Sequence, residues 1–178
     1  VSLEDLSVRT MSDYILKIGG SVLTDKSSRE TISPDFREVL SKVDSGGILV
    51  HGAGSYGHPN AENHGLADGS RTGVLETHSA VKKLNGKVVK QLRDQGIKAF
   101  PVHPSSMATR EETTDINLEP VAQMVKEGFT PVIHGDGVVH RGEGFSVISG
   151  DEIATSVMKQ IRAEKLGFCT SVPGVLDE

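Results

Sequence analysis

Apolar runs that end at glycine-containing turns recur along the chain, and amphipathic segments separate them. Short apolar runs at residues 14–18 and 48–50 each lead directly into glycines, which predicts two buried strands. Apolar residues three and four positions apart within residues 73–95 predict an amphipathic helix that ends at Gly96. The pattern therefore begins as strand, turn and helix.

The rest of the chain continues this alternation. Ser33 and Pro34 are a good N-cap and N1 pair, so we expect a helix from Pro34 to about residue 42. Further segments are predicted as strands at 97–102, 130–133 and 166–170, as helices at 118–126 and 152–163, and as a hairpin at 138–147 around a Gly-Glu-Gly turn. Alternating strands and helices favour an α/β fold, a three-layer αβα sandwich with a largely parallel central sheet.

Net charge and the lengths of the apolar runs argue against nucleic acid and membranes as partners. The net charge of −5 is mild and the charged residues are interleaved, so no basic face for nucleic acid is expected. No apolar run reaches the roughly 18 residues of a membrane span, and the first ten residues do not have the pattern of a signal peptide. We expect a cytoplasmic protein without nucleic-acid or membrane partners. Because the 178-residue chain stops eight residues after its last predicted strand, we also expect that its C-terminal part is missing.

The stretch "HGAGSYGH" has the glycine spacing G-x-G-x-x-G of a dinucleotide-binding loop. It does not follow the first strand, however, and the acidic residue about 20 positions later, Glu76, falls inside a helical pattern. Four turns, at 19–21, 52–57, 135–137 and 150–151, should instead meet at one edge of a parallel sheet. Their backbone N–H groups suit several phosphate oxygens, although any one of these turns can be simply a tight connection.

Three segments together resemble the amino acid kinase superfamily. They are "LKIGGSVLTDK", "HGAGSYGHP" and "FSVISGDE", and the similarity extends over residues 14–170. Within the superfamily the chain is most similar to the isopentenyl phosphate kinases of the archaeal type, because members that phosphorylate carboxylates or carbamate generally lack the histidine found here as His58. Fosfomycin-type phosphonate kinases are the nearest alternative, and an inactive truncated binding lobe is another.

The resemblance implies a reaction and an organisation of the chain. The reaction is ATP-dependent phosphorylation of isopentenyl phosphate to isopentenyl diphosphate, a step of isoprenoid biosynthesis by an alternative mevalonate pathway. Magnesium arrives bound to ATP, and a homodimer is expected. Residues 1–13 are then a loosely ordered extension, residues 14–165 an acceptor-binding lobe, and residues 166–178 the incomplete start of a nucleotide-binding lobe.

The resemblance also implies roles for residues that match the family motifs. Lys17 reaches the ATP phosphates, Lys26 faces the transferring phosphoryl group, His58 donates a hydrogen bond to the acceptor phosphate, and Asp151 orients the lysines. Backbone groups of Ala53, Gly54, Gly135 and Gly137 are expected to contact the acceptor. The nucleotide is expected to contact Lys17, Gly19, Gly20, Ser21, Gly54, Thr170 and Gly174.

The chain departs from the family pattern at one turn, and its other histidines do not suggest a metal site. Ser171 and Pro173 stand where the superfamily commonly has the acids of a "TDVDG" turn. The histidines other than His58 have no metal-ligand spacing, so we predict structural or solvated roles for them and no protein-built metal site; they are His51, His64, His78, His103, His134 and His140.

Overall fold

The computed structural model describes residues 11–57 and 71–171. The strands of this part are β1 (Met11–Ile18), β2 (Ile48–His51), β3 (Ala99–Val102), β4 (Ala108–Arg110), β5 (Thr114–Ile116), β6 (Thr130–His134), β7 (Asp136–His140), β8 (Gly144–Ile148) and β9 (Arg162–Cys169). The helices are α1 (Gly20–Leu23), α2 (Phe36–Ser41), α3 (Arg71–Asp94), α4 (Glu119–Lys126) and α5 (Gly150–Gln160).

The central sheet consists of parallel strands, as predicted. Its spatial order is β3-β6-β2-β1-β9, and every neighbouring pair is parallel. The register aligns Ile18 of β1 with His51 of β2, and His51 with His134 of β6. Because these strands end level with one another, the turns that follow them lie at one edge of the sheet.

Helices cover both faces of the sheet, which confirms the three-layer sandwich. On one face, Leu49 and its neighbours pack against α2 and against the apolar stripe of α3, which includes Leu84 and Val88. On the other face, Ile48 and its neighbours pack against α4 and α5. Burial of both faces explains why β2 is apolar in every position except its last, His51.

A second sheet lies beside the first and contains the predicted hairpin. Its order is β5-β4-β7-β8, with β7 and β8 antiparallel around the Gly-Glu-Gly turn. The sequence pattern did not reveal β4 and β5, because each has three residues, mostly polar, and no periodicity can be read over that length.

Several boundaries differ from the predicted ones. The helix expected from Pro34 begins only at Phe36, and Ser33 Oγ instead accepts a hydrogen bond from the N–H of Asp35 (3.2 Å) in the turn before it. Helix α5 starts two residues earlier than expected, because Ser149 caps it by accepting from the N–H of Glu152 (3.1 Å). It ends at Gln160, so β9 begins at Arg162 and not at residue 166.

Residues 11–13, which were predicted to be part of an N-terminal extension, belong to β1 instead, and the rest of that prediction lies outside the described residues. Residues 166–169 pair with β1 in the central sheet, so they are continuous with the preceding fold. Among the described helices, none combines the length and the apolar character needed to cross a bilayer.

Candidate active site

A cleft of about 630 Å³ opens where the central strands end. All four predicted glycine turns contribute to it, so the sequence prediction that they converge is confirmed. Its described lining is Lys17, Gly19, Gly20, Ser21, Lys26, Gly52, Ala53, Gly54, Ser55, Gly57, Thr77, Gly135, Asp136, Val147, Ile148, Ser149, Gly150, Asp151 and Thr170. Topology explains this meeting for the turns after β1, β2 and β6, because parallel strands bring their carboxyl ends to one edge. The turn at 150–151 reaches the cleft from β8 of the second sheet.

The turns after β1 and β2 pack backbone against backbone. A Cβ atom on Gly20 would lie 2.3 Å from the Gly54 nitrogen, and one on Gly52 would lie 2.7 Å from the Gly20 nitrogen. Gly54 also has a φ of +52°, a conformation that disfavours residues with a side chain. The glycine spacing that resembles a dinucleotide fingerprint therefore serves close contact between two turns.

Four backbone N–H groups at this junction have no acceptor within the described part of the chain. They belong to Gly20 and Ser21 at the start of α1, and to Ala53 and Gly54 after β2. By contrast, the N–H of Gly19 donates to the Cys169 carbonyl (2.8 Å). Unpaired N–H groups from two adjacent turns form a concave site that suits anionic oxygens.

A lysine and an aspartate in the lining of the cleft form an ion pair. Lys17 Nζ lies 2.9 Å from Asp151 Oδ1, and its side chain is only 14% exposed, whereas that of Asp151 is 63% exposed. The carboxylate arrives from the first turn of α5, opposite the end of β1. Lys26 lies at the exposed rim of the same cleft. One cation is therefore held in a fixed place and a second lies at the entrance.

The glycines of the turn between β6 and β7 use their N–H groups for hydrogen bonds within the protein, which differs from the predicted contact with the acceptor. Gly135 lines the cleft, but its N–H donates to the His51 carbonyl (3.0 Å). The N–H of Gly137 donates to Asp136 Oδ1 (2.8 Å), and this glycine packs against Val74 of α3. Because both N–H groups already have acceptors, the geometry does not favour them as donors to an acceptor phosphate, and that role stays a prediction.

Two buried histidines stabilise the turns that follow β2 and β6. His51 and His134 occupy aligned positions, their rings stack at 5.7 Å, and each Nδ1–H donates to the carbonyl of the following glycine at 3.0 Å. Burial lowers the pKa of His51 to about 4, against the opposing effect of the Gly52 carbonyl. Burial also lowers the pKa of His134 to about 3, together with the nearby His51 charge. Both rings are therefore neutral and structural; of the structural or solvated roles that the sequence predicted, these two histidines have the structural one.

Sequence reasoning did not find Arg110, which connects the second sheet to α5. Its guanidinium binds both carboxylate oxygens of Glu152 and donates to the Val147 carbonyl (2.9 Å). Burial raises the pKa of Glu152, but hydrogen bonds from Arg110 and Thr114 outweigh it, so the net pKa is lowered. Glu152, in the first turn of α5, is thus held in place directly after Asp151.

The remaining predicted residues lie partly outside the described ranges. His58 and Gly174 belong to the residues that are not described. Thr170 lines the cleft, and Ser21 Oγ lies 3.0 Å from Ser171 Oγ, which ties the turn after β1 to the end of β9.

No cluster of His, Cys, Asp or Glu in residues 11–57 and 71–171 has the arrangement of a metal site. The donors on the cleft are mainly ammonium and N–H groups, which bind anions. A magnesium ion held mainly by phosphate oxygens and water, as is usual for this ion, fits such a lining.

The fold and this anion-binding cleft define a phosphotransferase of the amino acid kinase class. The model of the amino acid kinase family matches residues 14–178, and the chain belongs to that family.

Several of its relatives within the family are isopentenyl phosphate kinases. The isopentenyl phosphate kinase of Haloferax volcanii is 39% identical, with 94% of this chain and 72% of the relative covered. The isopentenyl phosphate kinase of Methanocaldococcus jannaschii is 30% identical, with 91% and 70% covered. An X-ray structure of isopentenyl phosphate kinase superposes on this chain with a TM-score of 0.83. The two sequences are 32% identical, and the superposition covers 93% of this chain and 73% of that one.

Proposed function

We propose that this kinase transfers the γ-phosphoryl group of ATP to the phosphate of isopentenyl phosphate, giving isopentenyl diphosphate and ADP. The observation that carries the proposal is the largely buried Lys17, held by Asp151 at the cleft. Nearby, Gly20 and Gly54 offer N–H groups from two turns that are in contact. The nature of the acceptor is supported by the relatives, which are themselves isopentenyl phosphate kinases.

Phosphoryl transfer between two anions needs alignment and neutralisation of charge more than covalent chemistry. When bound, ATP would supply the phosphoryl group, and its Mg²⁺ would supply part of the charge that neutralises the phosphates. Lys17 contributes a fixed cation, and the N–H groups of Gly20, Ser21 and Gly54 bind phosphate oxygens. Asp151 keeps the lysine in place and abstracts no proton, because a phosphate acceptor is already an anion.

His58 follows the Ala53–Gly57 turn in sequence, and we assign to it a hydrogen bond to the acceptor phosphate. An imidazole is compact and directional, and it can carry a positive charge next to a dianion. Lys26 faces the phosphoryl group during transfer, from its place at the rim.

The isoprenoid tail needs an apolar surface beside the phosphate. Val147 and Ile148 of β8 line the cleft next to Thr77 of α3. We place the tail between β8 and α3, which distinguishes an isopentenyl acceptor from fosfomycin, a small polar phosphonate.

The test is a steady-state assay with ATP and either acceptor. We expect saturable turnover of isopentenyl phosphate, a much lower kcat/KM for fosfomycin, and a loss of about 10- to 100-fold in kcat/KM for His58→Ala, typical of removing a charged hydrogen-bond donor. His140→Ala, on the hairpin and outside the cleft lining, is the matched control and should retain activity.

Preference for fosfomycin would establish the phosphonate kinase instead. Binding of acceptor and ATP without turnover would establish an inactive binding lobe. A homodimer and a cytoplasmic location stay predictions, of which sedimentation of the purified protein tests the first.

A further inference from the structure

Asn85 is a polar residue within the apolar stripe of α3. It is fully buried, and Val81 and Val88 precede and follow it on the same face of the helix. Its Nδ2 lies 3.1 Å from Nε2 of His51 and 3.1 Å from the Val132 carbonyl oxygen, whereas its Oδ1 has no hydrogen-bond partner within the described residues. An unpaired buried oxygen costs free energy, so packing alone does not explain an asparagine at this position.

The contacts of Asn85 decide which nitrogen of His51 carries the proton. A carbonyl oxygen can only accept, so the amide nitrogen of Asn85 donates one hydrogen to Val132 and directs the other at Nε2 of His51. Nε2 must therefore accept, which leaves the proton of the neutral ring on Nδ1. Burial lowers the pKa of His51 to about 4, so the ring stays neutral and keeps this tautomer. Nδ1–H then donates to the Gly52 carbonyl at 3.0 Å.

This hydrogen bond fixes the peptide group between Gly52 and Ala53. The described part of the chain has no cis peptide bond, and in a trans peptide the C=O and the N–H point in opposite directions. Because the Gly52 carbonyl points toward the ring of His51, the Ala53 N–H points away from it. Ala53 lines the cleft, and its N–H has no acceptor within the described residues. The donor is therefore available to an anion in the cleft.

The backbone around this donor has the conformation of an anion-binding turn. Ala53 is right-handed, with φ of −77° and ψ of −28°, and Gly54 follows with φ of +52°. Consecutive residues of opposite hand direct their N–H groups into one concavity, where they bind anions. A change in the orientation of the Ala53 N–H would remove one of the two donors.

We propose that His51 and Asn85 are positioning residues for phosphoryl transfer: Asn85 selects the tautomer of His51, and His51 holds the Gly52–Ala53 peptide so that the Ala53 N–H binds a phosphate oxygen. Both side chains are buried and neither belongs to the described lining of the cleft, so the pair acts through one peptide group. The inference rests on the proposed function, in which the N–H groups of these turns bind phosphates, and the family motifs assign Ala53 to the acceptor.

Substitutions of His51 separate orientation from packing in the steady-state assay with isopentenyl phosphate and ATP. His51→Leu keeps a buried side chain of similar volume without a donor, and it should lower kcat/KM for isopentenyl phosphate about tenfold, as expected when a hydrogen bond to a charged group is weakened. In His51→Asn the amide nitrogen takes the place of Nδ1, so kcat/KM should recover to within about threefold of the parental value. Leu92→Ala, in the same apolar stripe of α3 but far from the cleft, is the matched control and should lose stability while keeping kcat/KM.

Asn85 gives an independent test, because it acts only through His51. Asn85→Leu should lower kcat/KM about threefold, and the double variant His51→Leu/Asn85→Leu should be no worse than His51→Leu, whereas independent effects would multiply to about thirtyfold. NMR of isotope-labelled protein distinguishes a protonated from an unprotonated ring nitrogen. In the parental protein Nδ1 of His51 should carry the proton, and Asn85→Leu should bring the other tautomer into the population.

Circular dichroism first establishes that each variant is folded at the assay temperature. Parental kcat/KM in folded His51→Leu, equal losses in His51→Asn and His51→Leu, or a proton on Nε2 in the parental protein would each overturn the inference while leaving the proposed function intact. If His51→Leu does not fold, Asn85→Leu and the tautomer measurement decide in its place. A parental protein that does not turn over isopentenyl phosphate would overturn both.

Discussion

The pairing of Lys17 with Asp151 makes the central cation of the cleft depend on one carboxylate. Asp151→Asn leaves the shape of the site unchanged but removes the charge 2.9 Å from Lys17 Nζ. We expect kcat to fall by about 10- to 100-fold, because the lysine is no longer held where charge develops during transfer. Steady-state kinetics with saturating ATP and acceptor measures this change.

An ion pair of the same kind on the outer face of α3 gives the control. Lys90 Nζ and Asp94 Oδ2 are 2.6 Å apart, both are exposed, and both lie far along α3 from the cleft. Asp94→Asn should leave kcat unchanged and alter the free energy of unfolding by less than about 1 kcal/mol. Equal kinetic effects of the two substitutions would contradict a special role for Asp151.

Gly54 carries two constraints at once, a left-handed backbone and contact with the turn after β1. A Cβ atom there would lie 2.1 Å from Thr24 Oγ1 and 2.6 Å from the Gly20 carbonyl oxygen. We expect Gly54→Ala to lower the free energy of unfolding by about 3 kcal/mol, the sum of left-handed strain and overpacking, and to weaken ATP binding. Urea denaturation and calorimetry measure the two effects.

Gly96 is the control for Gly54, because it has the left-handed backbone without the close packing. Its φ is +86°, but a Cβ atom would have open space around it. Gly96→Ala should therefore cost only the backbone strain, about 1–2 kcal/mol, with ATP binding intact. If both alanine variants lost the same stability and bound ATP equally well, close packing of the two turns would not be what requires Gly54.

At the scale of elements, Arg110 connects β4, β8 and the first turn of α5. Arg110→Gln breaks the contacts to Glu152 and to the Val147 carbonyl. Since the side chains are 23% and 36% exposed, we expect a loss of only about 1–2 kcal/mol in unfolding free energy. We also expect a measurable rise in the KM for the acceptor, because Val147 lines the cleft.

Arg141 provides the comparison for this substitution. It lies 4.0 Å from Glu111, and both side chains are more than half exposed. Arg141→Gln should leave stability and the KM for the acceptor unchanged. An unchanged KM in Arg110→Gln as well would show that the second sheet and α5 are not coupled through this residue.

The elements differ in how well their sequence reveals them. Helix α3 has 24 residues, a full apolar stripe and Gly96 beyond its end, so local pattern predicts it almost to the residue. Strands β4 and β5 have three residues each, and they are defined by pairing and not by their own composition: β4 pairs with β7 of the hairpin, and β5 pairs with β4. Arg110 and Glu152 are 42 residues apart, and no local spacing indicates that contact.

At the scale of the whole molecule, the neutral buried histidines make stability depend on pH. An unfolded histidine has a pKa near 6.5, whereas burial lowers the pKa of His51 to about 4 and that of His134 to about 3. Below about pH 6.5 the unfolded chain binds protons that the folded protein does not. The stability contributed by the neutral rings is therefore full above that pH and is lost as the pH falls toward the folded-state values.

We expect the unfolding free energy to decrease by about 1.4 kcal/mol per pH unit for each of these histidines once the pH is below about 6.5. Urea denaturation at pH 7, 6 and 5 measures the slope. His51→Asn, which removes one of the two groups, should give a shallower slope although it is less stable at pH 7. Equal slopes would mean that the ring of His51 becomes charged in the folded protein.

The sequence alone determined the fold class and the location of the site. Apolar strands and amphipathic helices in alternation imply a parallel sheet, and a parallel sheet brings its strand-terminal turns to one edge, so the glycine turns after β1, β2 and β6 had to meet. The fourth turn, at 150–151, joins them from β8 of the second sheet. The resemblance of Lys17 and Asp151 to family motifs anticipated two side chains that the structure places 2.9 Å apart.

Only the tertiary structure decided how each glycine and histidine is used. It showed that Gly52 and Gly54 serve the contact between two turns, that Gly135 and Gly137 have already used their N–H groups, and that Asp136 is buried against His78. The physical reason is that hydrogen bonding and burial depend largely on partners far away in the sequence, such as His51 for Gly135 and His78 for Asp136. Local sequence carries the preference for a turn, and the packed fold determines which N–H groups remain free to bind a phosphate.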